Sequence, residues 1–260
     1  MALTALVGGS TSDTYVTLVE ANAYIASRPD SKNWNDSDYL ERERLLRQAT
    51  IDLDIFKFKG SKLFKGGEGG GLEHVLQSSI YDVLTSGYQR LQFPRDWQEY
   101  YSGYADSGTT TTLVDATFSS SNFARENDYF NYGAIYIISG TNKGQSREIS
   151  DYAASTGTFT VSTAFTSPID SSSQYLIISP LDKYVKFATI EQALYLSNNL
   201  ELAELQQWKM AGIVARTIGD VSIRFKDGTG SLDRVGSFMG SNSFKYIERF
   251  INRSMNTGRG

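Results

Sequence analysis

The chain has 260 residues, of which 40% are apolar and 21% charged, which allows one large or two smaller domains with real cores and is too apolar for wholesale disorder. It contains no Cys and one His, His74, which excludes disulfides, thiolate metal sites, iron–sulfur ligation, cysteine nucleophiles and histidine clusters. The net charge of -4 is uneven, because residues 209–260 carry nine Lys/Arg against four Asp/Glu, leaving the acidic excess in the first 208 residues.

The first predicted element follows Thr17, which makes a Thr-x-x-Glu capping box with Glu20 ahead of Ala21, Tyr24 and Ile25. This helix is expected to run to about Arg28, where Pro29 stops it. A loop around Trp34 follows, with Asn35 or Asp36 capping the next helix. Residues 37–59 carry a helical period in Tyr39, Arg42, Leu46, Ala49, Leu53 and Phe56. The glycine-rich run Gly66 to Gly71 predicts a loop, and Leu72, Val75, Leu76, Ile80, Val83 and Leu84 predict a helix ended by Gly87. Leu91 to Arg95 reads as a short extended segment set by Pro94.

From Ser102 to Ser179 the texture alternates, and strands are expected at Thr111 to Phe118, Ala134 to Ser139, Ser146 to Asp151, Thr158 to Ser162 and Tyr175 to Ser179, with Ser155-Thr156-Gly157 as a hairpin turn. This segment carries three basic against seven acidic residues. Helix returns with Ser179 as cap and Pro180 at its first position, apolar almost all round and therefore central. Glu204 to Thr217 reads as a further helix, and Val221, Ile223 and Phe225 alternate as a strand. Gly and Ser dominate residues 228–243, and Phe244, Ile247, Phe250 and Ile251 then recur at helical spacing among Lys245, Arg249 and Arg253.

Chemical motifs are sparse. Gly70-Gly71-Leu72 lacks the Lys and hydroxyl of a phosphate loop, and Leu72 breaks the dinucleotide glycine pattern. No Gly-x-Ser-x-Gly elbow accompanies His74, and no spacing selects a catalytic carboxylate pair. Aromatic residues near Arg95, including Tyr100 and Tyr101, allow a single-stranded DNA platform. Tyr129, Tyr132 and Tyr136 allow a glycan site in the β segment. No apolar run approaches the ~20 residues that cross a bilayer. Met1 to Gly9 also lacks a signal peptide's charged start and apolar core, so a soluble protein made in the cytoplasm is expected.

Several segments, taken in order, resemble a phage family. Thr14 to Tyr24 is similar to its opening, Ala49 to Gly60 to its next helix end and turn, and Leu91-Gln92-Phe93-Pro94-Arg95 to its Leu-x-Phe-Pro-Arg segment. Pro180 to Ala193 resembles its next helix, and Ile218-Gly219-Asp220-Val221-Ser222-Ile223 its Gly-x-Val-Ser strand. The family is the head–tail connector (adaptor) proteins, often described as DnaT-like single-stranded DNA-binding proteins.

The resemblance implies an α+β fold. Its helical-bundle connector core would take residues 1–101 and 180–227; the alternating segment 102–179, where the family has a brief connection, departs from it and is expected to be a small inserted all-β domain, and residues 228–260 are expected to be an extended C-terminal arm. It also implies a dodecameric ring between the portal and a downstream tail or neck protein, in the neck of the virion. Genomic DNA would pass through that ring without sequence-specific binding. No membrane, cofactor, metal or catalytic residue is expected. Phe244, Lys245, Ile247, Arg249, Phe250, Ile251 and Arg253 are expected to dock the arm on the portal, and Val221, Ile223 and Phe225 to form an inter-subunit strand.

Overall fold

A computed structural model describes residues 3–64, 89–199, 215–218, 221–224 and 239–252. The chain divides into two compact units, one built from Met1–Tyr15 and Phe58–Asp182, the other from Val16–Lys57 and Lys183–Gly260.

The first unit is organised by a seven-stranded antiparallel sheet. Its strands are β1 (Tyr100–Tyr104), β2 (Ser107–Gly108), β3 (Thr112–Val114), β4 (Ala134–Ser139), β5 (Ser146–Ala153), β6 (Thr158–Val161) and β7 (Gln174–Ile178), in the spatial order β1-β7-β4-β5-β6-β3-β2. The two ends of that order, β1 and β2, are separated in sequence only by Ala105 and Asp106. The amide of Ala105 donates to Ser173 O at 3.0 Å and that of Asp106 to Val114 O at 2.8 Å, so these two residues bridge the sheet's ends and the sheet must curl on itself. Its interior is filled from alternate positions: Ile135 and Ile137 of β4, Tyr175 and Ile177 of β7, Tyr152 of β5 and Phe159 of β6, closed by Phe118 and Phe130 from the connections. The turn between β5 and β6 uses Gly157 at φ +66°, where a side chain would meet the Asp115 carbonyl.

Alternation alone does not describe β4 and β7. Ala134 pairs with Ile178 on the face opposite the Ile135–Ile177 pair, and Ala134, Leu176 and Ile178 are also fully buried. Strands apolar on both faces need a cover on each. The second cover comes from irregular chain: Tyr136 Oη donates to Val7 O at 2.5 Å, and the Phe64 ring meets Tyr136 edge-on at 5.7 Å. Gly8, at φ +75°, lies where a Cβ would come within 2.6 Å of Phe64. Around this layer Tyr15 Oη accepts from the amides of Gln92 (3.0 Å) and Phe93 (3.2 Å).

These contacts overturn the expectation of a helical-bundle core carrying a small β insert. The sheet is the principal architecture of its unit, and it recruits residues 3–15, 58–64 and 89–99, which the sequence reading assigned to helical core. Apolar runs on two strands demand more cover than a self-contained insert supplies.

The second unit holds α1 (Leu18–Ile25), α2 (Lys32–Asp36), α3 (Tyr39–Asp54), α4 (Lys183–Asn198), the β8–β9 hairpin (Ala215–Ile218 with Val221–Arg224) and α5 (Ser241–Ile247), which continues into a 3-10 turn at Glu248–Phe250. The Thr17–Glu20 capping box forms as predicted, and α1 ends earlier than Arg28. The expected loop around Trp34 is α2, with Trp34 fully buried and its indole N–H donating to Asn22 Oδ1 at 3.0 Å. Asp38, rather than Asn35 or Asp36, caps α3 by accepting from the Glu41 amide. Arg42 donates to the carbonyls of Trp34, Asn35 and Ser37, tying α3 to the preceding turn. Tyr39, expected on the apolar face, is exposed.

Helix α4 begins at Lys183, three residues beyond Pro180. The Gln98 amide donates to both Ser179 O and Pro180 O, holding those carbonyls out of a helical ladder. α4 packs on α3 and α5 and buries polar groups as well as apolar ones. Glu191, 4% exposed, accepts from Tyr24 Oη at 2.7 Å and from Arg28 and Asn242 at 3.3 Å. Gln192 donates to Asp52 at 2.8 Å and accepts from the Gly240 amide at 2.9 Å. Lys186 pairs with Glu20 at 2.6 Å.

The expected extended C-terminal arm is corrected here. Residues 239–252 fold back within their own unit: Ile247 is fully buried, Ser243 Oγ donates to Ala188 O at 2.7 Å, Phe244 packs on Phe56, and the Asn252 amide donates to Lys57 O. An apolar stripe at helical spacing finds its partner in the chain's own helices. Ala215–Thr217, read as the end of a helix, is strand. The glycine run at 66–71, the helix expected at 72–84 with His74, the rest of the 204–217 helix, Phe225, residues 228–238 and Arg253 lie outside the described residues.

Candidate functional site

The residues expected to dock on a portal are divided by the fold. Ile247 points inward and Phe244 is half-buried against Phe56, while Lys245 and Arg249, one helical turn apart, are exposed. The Arg249 guanidinium stands 3.7 Å from the centre of the Tyr184 ring, on which Tyr246 is also stacked at 5.9 Å. Phe250 and Ile251 are half-buried. Of the residues expected to form a strand between subunits, Val221 and Ile223 lie on β9, paired with Ile218 and Arg216 of β8.

The residues suggested for DNA stacking carry structural duties. Arg95 is 5% exposed and donates to the carbonyls of Phe58, Lys59, Gly60 and Gln92, clamping the turn at 58–60. Tyr101 packs edge-on against Phe118, Phe123 and Phe130, and Tyr100, on the other face, pairs with Ile178. The three tyrosines suggested for glycans do not form one platform. Tyr136 is engaged by Val7 and Phe64, Tyr129 lies under Arg125 at 4.5 Å, and Tyr132 is exposed in a turn at φ +67°.

Two features were not signalled by the sequence. The first is a mixed aliphatic and cationic face on α3. Leu40, Ile51 and Ile55 fall on one side of the helix and are 55%, 57% and 59% exposed in the isolated chain, with Arg44, Arg47 and Gln48 on the same side between Leu40 and Ile51, and Val19 of α1 is exposed as well. The period of residues 37–59 pointed to the buried side, and three further large aliphatic residues remain on the open one. Single apolar residues are ordinary on a surface, whereas Ile51 and Ile55, one turn apart with cations a turn away, have the mixed character of a contact surface.

The second is a cleft of about 260 Å³ in the sheet unit, lined by Trp97, Gln98, Glu99, Tyr129, Ser179, Pro180 and Asp182. At its floor both Glu99 oxygens are filled. Tyr101 Oη and Arg125 Nη2 (2.6 Å) donate to one, and Tyr129 Oη (2.5 Å) and Ser179 Oγ (3.3 Å) to the other. Burial pushes the Glu99 carboxyl up, but the hydrogen bonds from Tyr101, Tyr129 and Arg125 outweigh it and hold it below the usual carboxylate range. Burial and its bond to Glu99 push the Tyr129 phenol up to about 12. Glu99 is therefore an ionised, saturated anchor and has no lone pair left for acid–base work. Arg125 keeps its charge through Tyr101 and Glu99. Trp97, edge-on to Phe93 at 6.2 Å, is 46% exposed at this cleft.

Among the described residues, no group of three or more acidic or His side chains is placed to hold a metal ion, and no helix is long and apolar enough to cross a membrane. Compared with models of known protein families and with curated proteins, the chain finds no significant match.

Proposed function

We propose that this chain is a structural virion protein, a head–tail connector subunit whose copies close into a dodecameric ring between portal and tail and enclose the DNA channel. The observation that carries the reading is the exposed aliphatic pair Ile51 and Ile55, one turn apart at the end of α3, with Leu40 exposed on the same side. A subunit of a closed ring joins its neighbours through two different faces, so it must keep one apolar face uncovered until assembly. The order of the motifs from Thr14 to Ile223 supports the family side of the reading. The acidic excess of the first 208 residues suits a channel wall that repels the phosphate backbone. Lys245 and Arg249 supply a cationic contact for an acidic portal surface, while Ile247 serves folding. The reading requires no catalysis and no cofactor.

Images of virion necks, and of the purified chain mixed with isolated portal rings, test it. A ring with twelve-fold symmetry is expected. Substituting Leu40, Ile51 and Ile55 with Ser should leave a folded monomer that no longer assembles. Necks in which the chain is monomeric or a two-fold dimer refute the proposal.

A further inference from the structure

From the cleft over Glu99 we infer a binding site for one neutral pyranose ring, with Trp97 as the stacking face. This inference is independent of the connector reading. The charge of the site argues against ions. An anion would face Glu99 and Asp182, both lining the cleft. A cation finds Glu99 already satisfied by four donors and the Arg125 guanidinium fixed on the Tyr129 ring beside it.

What remains is mixed wall chemistry. The half-exposed indole of Trp97 and the Pro180 ring offer flat apolar surface, and Asp182 and Ser179 line the same cleft with polar groups. A sugar ring has that character, with C–H faces that stack on aromatic rings and hydroxyls that both donate and accept. The volume of about 260 Å³ lies just under the range of ~300 to 1,000 Å³ typical of drug-sized ligand pockets, which fits one ring rather than a chain of them. The floor is also rigid. Glu99 ties Tyr101, Arg125, Tyr129 and Ser179 together, so the wall needs no reordering when a ligand arrives.

Saturation-transfer difference NMR on the full chain tests this, with methyl glucoside, methyl galactoside, methyl mannoside and N-acetylglucosamine as separate probes and N-acetyl-lysine amide as a cationic control. At least one sugar should show transfer and shift the Trp97 indole N–H resonance, and Trp97→Ala should weaken it about tenfold, the worth of one aromatic stacking face. Because Trp97→Ala also removes the contact with Phe93, Asp182→Asn provides a second variant that leaves that contact in place; it should weaken the same sugar. Three results overturn the inference: no transfer from any of the four sugars, unchanged sugar binding in both variants, or a shift of the Trp97 resonance by the lysine amide alone.

Discussion

At the centre of the sheet unit, Phe130 is ringed by Tyr101, Phe118, Tyr152 and Phe159 at centroid distances of 5.0 to 5.8 Å. At the centre of the helical unit, α4 presents Glu191 and Gln192, both buried, to partners on α1, α3 and α5. One unit is defined by shape and area, the other by matched donors and acceptors. The teaching is that two cores in one chain respond to different perturbations. An aromatic core is above all intolerant of lost volume, whereas a helical interface stitched by ionisable groups is sensitive to which proton is where.

The largest effect is expected from ending the chain after Gly240. This removes buried Ile247, half-buried Phe244 and the bond from Ser243 to Ala188 from the helical unit, a loss of roughly 3 to 6 kcal/mol at about 1.5 to 3 kcal/mol for a fully buried side chain, less for Phe244, and about 1 kcal/mol for the hydrogen bond. Amide exchange in α3 and α4 should accelerate strongly while β4 and β7 keep their protection. Protection left intact in α4 would show that the C-terminal helix is dispensable for folding.

Phe130→Ala is the converse. Deleting that ring should cost about 3 to 5 kcal/mol and lower protection in β4, β5 and β7 rather than in α4. A smaller effect, about 1 kcal/mol, is expected for Thr17→Ala, which removes the cap of α1. Denaturant midpoints followed by tryptophan fluorescence should register it, and Thr17→Ser should restore it.

The smallest effect is a slope. Burial raises the Asp52 carboxyl above its ordinary value, and the hydrogen bonds from Gln48 and Gln192 only partly oppose this. The folded state therefore holds that proton more tightly than the unfolded chain. Its contribution is complete below the ordinary carboxylate pKa of about 4 and is lost as pH rises through the raised one. In Asp52→Asn the exposed Gln48 amide can turn to meet the new side chain, while Gln192 keeps its bond to the Gly240 amide. The variant's stability relative to the parent should increase between pH 4 and pH 7, and parallel pH profiles would exclude this role for Asp52.

Much of the local structure was legible. Ala134 to Ser139 is a strand with the predicted limits, and Thr17 with Glu20 announced α1 because a capping box lies within four residues. What failed was long-range. The segments around Val7, Phe64 and Tyr15 cover the sheet with irregular backbone, and irregular chain carries no period from which burial can be inferred. The near-continuous apolar runs of β4 and β7 were the available signal, since a strand with one wet face should alternate. Pro180 looked like a helix start, and only the distant Gln98 amide explains why the helix waits until Lys183. The Glu99 site was invisible for a similar reason: Arg125, Tyr129 and Ser179 reach it from 26 to 80 residues away.

The pairing of β1 with β7 also sets a timetable. Tyr100 cannot find Ile178 until the ribosome has made the intervening chain, about 4 to 16 s at ~5 to 20 residues per second. Helices α1 to α3 emerge earlier still, yet their central partner α4 begins only at Lys183, five residues after the sheet's last strand. The helices made first are thus completed last, and the sheet has its full complement of strands before the helical unit can close. During that interval the apolar sides of α1 and α3 stand open on the nascent chain, the period in which a chaperone or a neighbouring copy has most access to them.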